Sequence, residues 1–161
     1  MKKLYLAAGL FNAAERLHNL YLEKHLKRRG YEVILPQREA KQFFHNGIFD
    51  KVGVVKSCRA AAADAKNLCI VCIDGADADS GTAVEFGITI TATGKALVYR
   101  TDFRTAPERE LGVNAMFTAE GASFVYEQCF FTELDEVDAY YEKLAEAIHQ
   151  AISSLEYGFS S

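Results

Sequence analysis

The run Leu68 to Ile73 (LCIVCI) is apolar at every position and stands between Asn67 and Asp74. Too short for a buried helix and lacking alternation, it reads as a strand covered on both faces, the condition of a central strand in a parallel sheet. A chain with such a strand needs helices on both sides of the sheet and further parallel strands beside it, so strands and helices should alternate along the rest of the sequence.

The alternation is there. Lys3 to Ala8 is a short apolar run that ends at Gly9, and Ala14, Leu17, Leu20, Tyr21 and Leu26 then follow a three-or-four rhythm. Asn12 with Glu15 makes an N-cap pattern, and Lys24, Lys27, Arg28 and Arg29 place cations in the last turns before Gly30, which sets a helix over 13–29. Tyr31 to Leu35 is a second strand, stopped by Pro36. Gln37 to Gly53 is of mixed polarity with Asn46-Gly47 as a turn signal, and reads as a loop or short helices. Val54 to Lys66, with its run of alanines, reads as a helix. The segment Ser80 to Thr93 is locally ambiguous, because Ile88 to Thr91 alternates like a strand while Thr82 to Phe86 opens like a helix. The strand at Lys95 to Tyr99 follows so closely that a helical crossover is needed, which decides for helix. A short strand at Ser123 to Tyr126 and a long helix from Leu134 to Leu155, opened by acids, complete the pattern. The expected fold is α/β: a single-domain, doubly wound, flavodoxin-like sheet of about five mainly parallel strands flanked by helices, spanning 1–161.

Composition narrows the partners. At 161 residues, 50% hydrophobic and 25% charged, the chain should hold one core, and 18 Lys plus Arg against 22 Asp plus Glu leave a net charge of -4. No basic field is available for polymeric nucleic acid or an anionic membrane. Four cysteines are too few for a secreted disulfide scaffold. The start Met1-Lys2-Lys3 is followed by only about seven apolar residues before Asn12, neither a signal peptide nor a membrane span. A cytoplasmic, reduced protein is expected.

Doubly wound sheets bind ligands at the carboxyl ends of their strands, which selects Tyr5 to Asn12, Ile73 to Glu85, and Tyr99 to Met116. The middle segment carries Asp74, Asp77, Asp79 and Glu85, with Asp79 or Ser80 as the N-cap of the next helix. Gly81 lies one turn before Glu85 on the same face, so the Glu85 carboxylate is left bare at the floor of a cleft. A carboxylate near a helix N-terminus tends to stay ionised, whereas one crowded by like charges tends to hold its proton. Two carboxyl groups in such different states suit bond breaking at an anomeric carbon. Acids after a strand also serve as caps and solvated turns, so the cluster alone does not decide. A calcium loop starting at Asp77 would put Gly81 at a ligand position and Ile88 where a bidentate Glu belongs; no metal and no cofactor are expected. Cys69 and Cys72 match a CxxC spacing but should point to opposite faces of one strand, as buried structural thiols. His18 and His25 share a helix face among charged residues, which suits solvent-facing histidines as well as a ligand pair. Gly9-Leu10-Phe11 lacks the glycine spacing and lysine of a phosphate cradle.

Three pieces of the sequence resemble the nucleoside 2-deoxyribosyltransferase family: Tyr5 with Ala8-Gly9-Leu10-Phe11, then Asp79-x-Gly81-x-x-x-Glu85-x-Gly87 preceded by Asp74, and Asn114-x-Met116. They lie in order on the expected strand ends and span most of the chain. The resemblance implies exchange of the base of a 2'-deoxyribonucleoside for a free nucleobase in nucleoside salvage, through a covalent deoxyribosyl ester on Glu85, with hydrolysis as side reaction. It implies that Tyr5 holds Glu85 by a hydrogen bond, that Asp79, beside Gly81, binds sugar hydroxyls, and that Asp74 contacts the base and helps protonate it. Phe11 would stack near the base, and Gln37 or Gln42 would meet its polar edge. Asn114 and Met116 would reach into the site of a neighbouring subunit, making the protein a homo-oligomer, dimer or larger. Phe11, Phe117 and Met116 would keep water from the ester.

Gly81-Thr82-x-x-Glu85 is also similar to the signature of phosphoribohydrolases acting on cytokinin nucleotides, but Ala78-Asp79-Ser80 replaces their paired glycines. The 2'-deoxynucleoside 5'-monophosphate N-hydrolases share the carboxylate plan but hold phosphate with Ser, Arg and Gly where this chain has Leu10-Phe11-Asn12-Ala13. They stand as the alternative, with Arg100 and Arg104 as phosphate ligands. A nucleoside-binding sensor without catalysis is the alternative of another class.

Overall fold

The computed structural model describes residues 1–104 and 113–157. Five parallel strands form the main sheet: β1 (Lys3–Ala7), β2 (Glu32–Ile34), β5 (Asn67–Cys72), β6 (Ala96–Arg100) and β7 (Ala122–Tyr126). A two-stranded antiparallel hairpin, β3 (Phe44–His45) and β4 (Ile48–Phe49), lies outside it. The helices are α1 (Ala13–Arg28), α2 (Pro36–Glu39), α3 (Lys51–Ala63), α4 (Ser80–Thr93) and α5 (Val137–Tyr157). The order across the sheet is β2-β1-β5-β6-β7, a doubly wound order whose direction of winding reverses between β1 and β5. The expected fold class is the observed one.

Every residue of β5 and of β6 is buried, as a strand covered on both faces requires. Helices α1 and α5 pack together on one face, α3 and α4 on the other. Strand alternation divides the side chains between two cores: Leu4, Leu6, Cys72 and Tyr99 lie with α1 and α5, and Tyr5, Ala7, Cys69 and Val98 lie with α3 and α4. The two thiols of the CxxC spacing are therefore on opposite faces, and all four cysteines are free. Among the described residues no helix is long and apolar enough to cross a membrane.

Local signals explain most boundaries. Asn12 caps α1, its side chain accepting from the Glu15 amide at 3.0 Å while the Glu15 carboxylate accepts from the Asn12 amide at 3.3 Å. The segment 80–93 is helical throughout, despite the β-branched alternation at its centre. Helix α3 begins at Lys51, three residues before the expected start, because Asp50 caps it by accepting from the Gly53 amide. The region after Pro36 holds a hairpin that the mixed polarity did not announce, turned by Asn46 and Gly47 in the left-handed region.

The rhythm of α1 misleads about its buried side. Leu17 and Leu20 are 55% and 43% exposed, whereas Asn19, Glu23 and His25 are buried. Each of these polar residues has partners: Glu23 pairs with Arg38 and Lys27, and His25 meets Glu142 and Asp138 of α5. Of the two histidines, His18 is partly buried and His25 fully buried.

Gly121 opens β7 with φ +86, and a Cβ placed there would lie 2.0 Å from the Gly94 carbonyl oxygen that ends α4. Gly121→Ala should therefore cost about 2–4 kcal/mol, from a left-handed backbone plus an overlap that only backbone movement relieves. Gly47→Ala, with φ +78 but nothing within 4 Å, should cost only the conformational part, about 1–2 kcal/mol. Chemical denaturation of the two variants reads the difference.

Candidate functional site

The crevice at a reversal of winding is where such sheets place ligands, and here it is bounded by the carboxyl ends of β1 and β5. Tyr5, buried in β1 beside Cys69 of β5, reaches toward α4 and donates its hydroxyl proton to Glu85 Oε1 at 2.6 Å. Glu85 sits in the second turn of α4 and is half-buried, within hydrogen-bonding reach of Cys58 as well as Tyr5. Burial raises its pKa above the ordinary carboxylate value; the Tyr5 hydrogen bond pulls down against this, and the nearby Asp79 charge pushes up again. Burial therefore outweighs the expected tendency of a helix-start carboxylate to stay ionised. Tyr5 is itself pushed well up by burial and by the Glu85 charge, so it stays a donor at any working pH. Cys58, a half-buried thiol of α3, completes this corner beside Tyr5 and Glu85, and burial pushes it up too. No spacing in the sequence connects Cys58 with those two.

Removing the Tyr5 hydroxyl takes away a hydrogen bond to a charged group, worth about 1.5–3 kcal/mol. Tyr5→Phe should lower any rate that depends on ionised Glu85 by ~10–100-fold, and the acid limb of the pH profile should move to higher pH because the larger of the two hydrogen bonds that favour ionised Glu85, from Tyr5 and from Cys58, is gone. A rate measured across pH for both proteins checks this.

Asp74 stands at the end of β5, over the other face. Its Oδ1 accepts from the Thr101 amide at 2.6 Å and the Asp102 amide at 2.9 Å, and its Oδ2 meets the Thr101 hydroxyl at 2.5 Å. Arg100, 2% exposed, donates to the carbonyls on both sides of Asp74, Ile73 at 2.7 Å and Gly75 at 3.1 Å, and to that of Asp102 at 3.1 Å. The Asp102 carboxylate accepts from the Gly75 amide at 3.0 Å and is gripped by Arg104, which together hold its pKa down at about 2. Residues 100–102 thus hold residues 73–75 by a set of backbone and side-chain hydrogen bonds. The sequence reading offered Arg100 and Arg104 as phosphate ligands; here Arg100 is spent on backbone carbonyls, while Arg104 pairs with Asp102 and remains largely exposed.

Behind Asp74, His18 of α1 bridges two tyrosines, with Nδ1 2.9 Å from the Tyr141 hydroxyl and Nε2 2.9 Å from that of Tyr99. Burial lowers its pKa, with the Asp74 charge acting in the opposite direction. Donor atoms of His18, Cys72 and Asp74 lie within 4.8 Å of one another. With both ring nitrogens already facing phenol hydroxyls, the trio is a hydrogen-bonded prop and offers a metal no open imidazole nitrogen.

The other predicted site residues are placed as follows. Asp79 is the N-cap of α4, one carboxylate oxygen accepting from the Thr82 amide at 2.8 Å and hydroxyl at 3.1 Å. A side chain at Gly81 would crowd that oxygen at 3.1 Å. Gln37 is 6% exposed, its amide spent on Asn19 at 3.1 Å and the Arg16 carbonyl at 3.2 Å. Asn19 in turn donates to the Gly9 carbonyl at 2.9 Å, so the pair ties α2 to the β1–α1 loop. Gln42 is exposed beyond it. Phe11 and Met116 stand 78% and 75% exposed, and Asn114 caps a short 3-10 turn by accepting from the Met116 amide. Phe117 does not line a pocket: it packs into the core against Phe86, ring centres 5.0 Å apart. Of the third strand-end segment, 105–112 lies outside the described residues.

The family model for nucleoside 2-deoxyribosyltransferase matches residues 4–116, well over half of the 161 residues. The chain belongs to the nucleoside 2-deoxyribosyltransferase family. Both the Tyr5–Glu85 corner and Asp74 fall inside the stretch that this family matches. Several solved structures share the fold, among them the following two. A conserved protein from Enterococcus faecalis V583 superposes with a TM-score of 0.68 at 20% identity, over 93% of this chain and 98% of that one. A 2-deoxyribosyltransferase from Bacillus psychrosaccharolyticus, described as a biocatalyst for nucleoside synthesis, superposes with a TM-score of 0.58 at 21% identity, over 89% and 95%. Among curated proteins none matches the sequence.

Proposed function

We propose that the protein exchanges the base of a 2'-deoxyribonucleoside for a free nucleobase, through a deoxyribosyl ester on Glu85. The observation that carries this reading is the 2.6 Å hydrogen bond from Tyr5 to one oxygen of a half-buried carboxylate at the switch point. It orients Glu85 and leaves its second oxygen for C1', and covalent catalysis divides one hard displacement into two easier ones. In the first step Glu85 Oε2 bonds to C1', the C1'–N bond breaks, and its electron pair leaves with the base, which takes a proton from Asp74. In the second a nitrogen of the incoming base attacks C1', returns a proton to Asp74 and releases the Glu85 carboxylate. Asp79 holds sugar hydroxyls beside Gly81, and Phe11 stacks on the base. With Gln37 spent on the loop, the exposed Gln42 is the one of the two glutamines free to meet the base edge. The exposed Asn114 and Met116 suit completion of a second copy's site in a homo-oligomer. A cytoplasmic role in nucleoside salvage follows from this reading.

The test is incubation with a deoxynucleoside and a different free base. The swapped nucleoside and a deoxyribosyl adduct on Glu85 by mass spectrometry are expected. No exchange from any donor would sink the transferase reading. Base release only from 5'-monophosphates would favour the N-hydrolase, and binding untouched by loss of Glu85, without turnover, the sensor.

A further inference from the structure

A carboxyl group that gives and takes back a proton within one turnover has to be held in place in both states. Most carboxylate contacts fail this requirement, because a backbone amide can only donate. At Asp74 the two oxygens are treated differently. Oδ1 faces two amides, of Thr101 and Asp102, and can only accept. Oδ2 faces the Thr101 hydroxyl at 2.5 Å, and a hydroxyl both donates and accepts. The proton of Asp74 therefore belongs on Oδ2.

We infer that Thr101 is a positioning residue for proton transfer to the base, acting through Asp74. When Asp74 is ionised the threonine hydroxyl donates to Oδ2; when Asp74 is protonated and waiting, Oδ2–H donates to Thr101 Oγ1. As the base departs, that O–H turns to the base nitrogen and gives up its proton while the threonine hydroxyl turns back to donate to Oδ2. In the waiting state the threonine proton needs a new acceptor, and the Tyr140 hydroxyl, itself donating to the Glu127 carbonyl at 2.8 Å, is the neighbour placed to accept. The rest of the cradle is fixed. Thr101 is 7% exposed, its carbonyl accepts from the Cys129 amide at 3.1 Å, and Arg100 pins the backbone on both sides of Asp74. One rotating hydroxyl in a rigid frame lets the carboxyl change state without moving.

The inference rests on the transferase reading, and the experiment separates the two. Wild type, Thr101→Val and Thr101→Ser are assayed with two donors: a purine 2'-deoxyribonucleoside, whose base leaves with a proton, and a deoxyriboside of an acidic phenol, whose phenolate leaves without one. Thr101→Val should lower kcat on the nucleoside by ~10–100-fold with KM within about twofold, as expected for impaired general acid catalysis. It should leave the phenol donor nearly unaffected, and Thr101→Ser, which restores the hydroxyl, should recover most of the nucleoside rate. Denaturation midpoints confirm that each variant is folded. Equal losses on both donors, no loss on either, or no recovery with serine would overturn the Thr101 role. Wild-type inertness toward both donors would remove the transferase reading, and the Thr101 role with it.

Discussion

Glu85→Gln should abolish base exchange, by ~10⁴-fold or more as for other excised nucleophiles, while the protein stays as stable as wild type or becomes more stable. The amide keeps an oxygen to accept the Tyr5 hydroxyl at the position where Oε1 now sits 2.6 Å away. What it removes is a charge that burial disfavours. The stability difference should depend on pH in a defined direction. The folded-state pKa of Glu85 lies above its unfolded value, so between the two the folded chain binds more protons than the unfolded one, and wild type loses stability as pH rises through that window. Above the window the whole penalty is present; below it there is none. The advantage of Glu85→Gln should thus be full above the raised Glu85 pKa and close as the pH falls toward the ordinary carboxylate range. Urea denaturation of both proteins across that range, beside the exchange assay, measures it. A variant that is inactive and also clearly less stable at neutral pH would mean that the carboxylate is structural.

Arg100→Met should be among the most destabilising single changes in the chain, about 3–5 kcal/mol, or roughly 10 °C in Tm for a domain of this size. The guanidinium is buried and donates to three carbonyls at 2.7–3.1 Å, those of Ile73, Gly75 and Asp102. Methionine fills part of the volume but leaves those carbonyls without their donor in a tight double loop. Arg100→Lys should recover little, because a single ammonium cannot reproduce a planar fork that spans both sides of Asp74. Thermal unfolding ranks the three proteins. Exchange activity should fall in both variants even well below their melting temperatures, since the loop that carries Asp74 loses its frame. Full activity in a folded Arg100→Met protein would show that Asp74 does not need that frame.

What could be seen in the sequence, and what could not, follows from the range of the forces involved. Strand β5 was legible because burial on both faces leaves no polar alternative, and the cap of α1 because Asn12 and Glu15 act within one turn. The central ambiguity of α4 yielded to topology, a constraint on chain connection that single residues do not carry. Tyr5 and Glu85 could each be placed at a strand end or helix start, but their meeting was implied only by the family resemblance, since nothing in the residues alone pairs them. The inward side of α1 was not, since Glu23 and His25 are buried only by virtue of Arg38, Glu142 and Asp138 on other elements. Arg100 looked like a free cation for the same reason: its partners are backbone carbonyls of another loop, which have no side-chain signature. Gln37 was selected for a ligand by its place after β2, and its amide is consumed by Asn19 instead.

The partition of side chains by β5 has a consequence for how this protein can change. Glu85 acts on the charge balance at Cys69, on the α3 and α4 side, whereas Asp74 acts on that at Cys72, on the α1 and α5 side. Glu85 and Asp74 are thereby backed by two separate core clusters. Substitutions behind one should combine nearly additively with substitutions behind the other. Under the proposed transferase function, base preference should be open to change through the α1 and α5 core with little effect on Glu85.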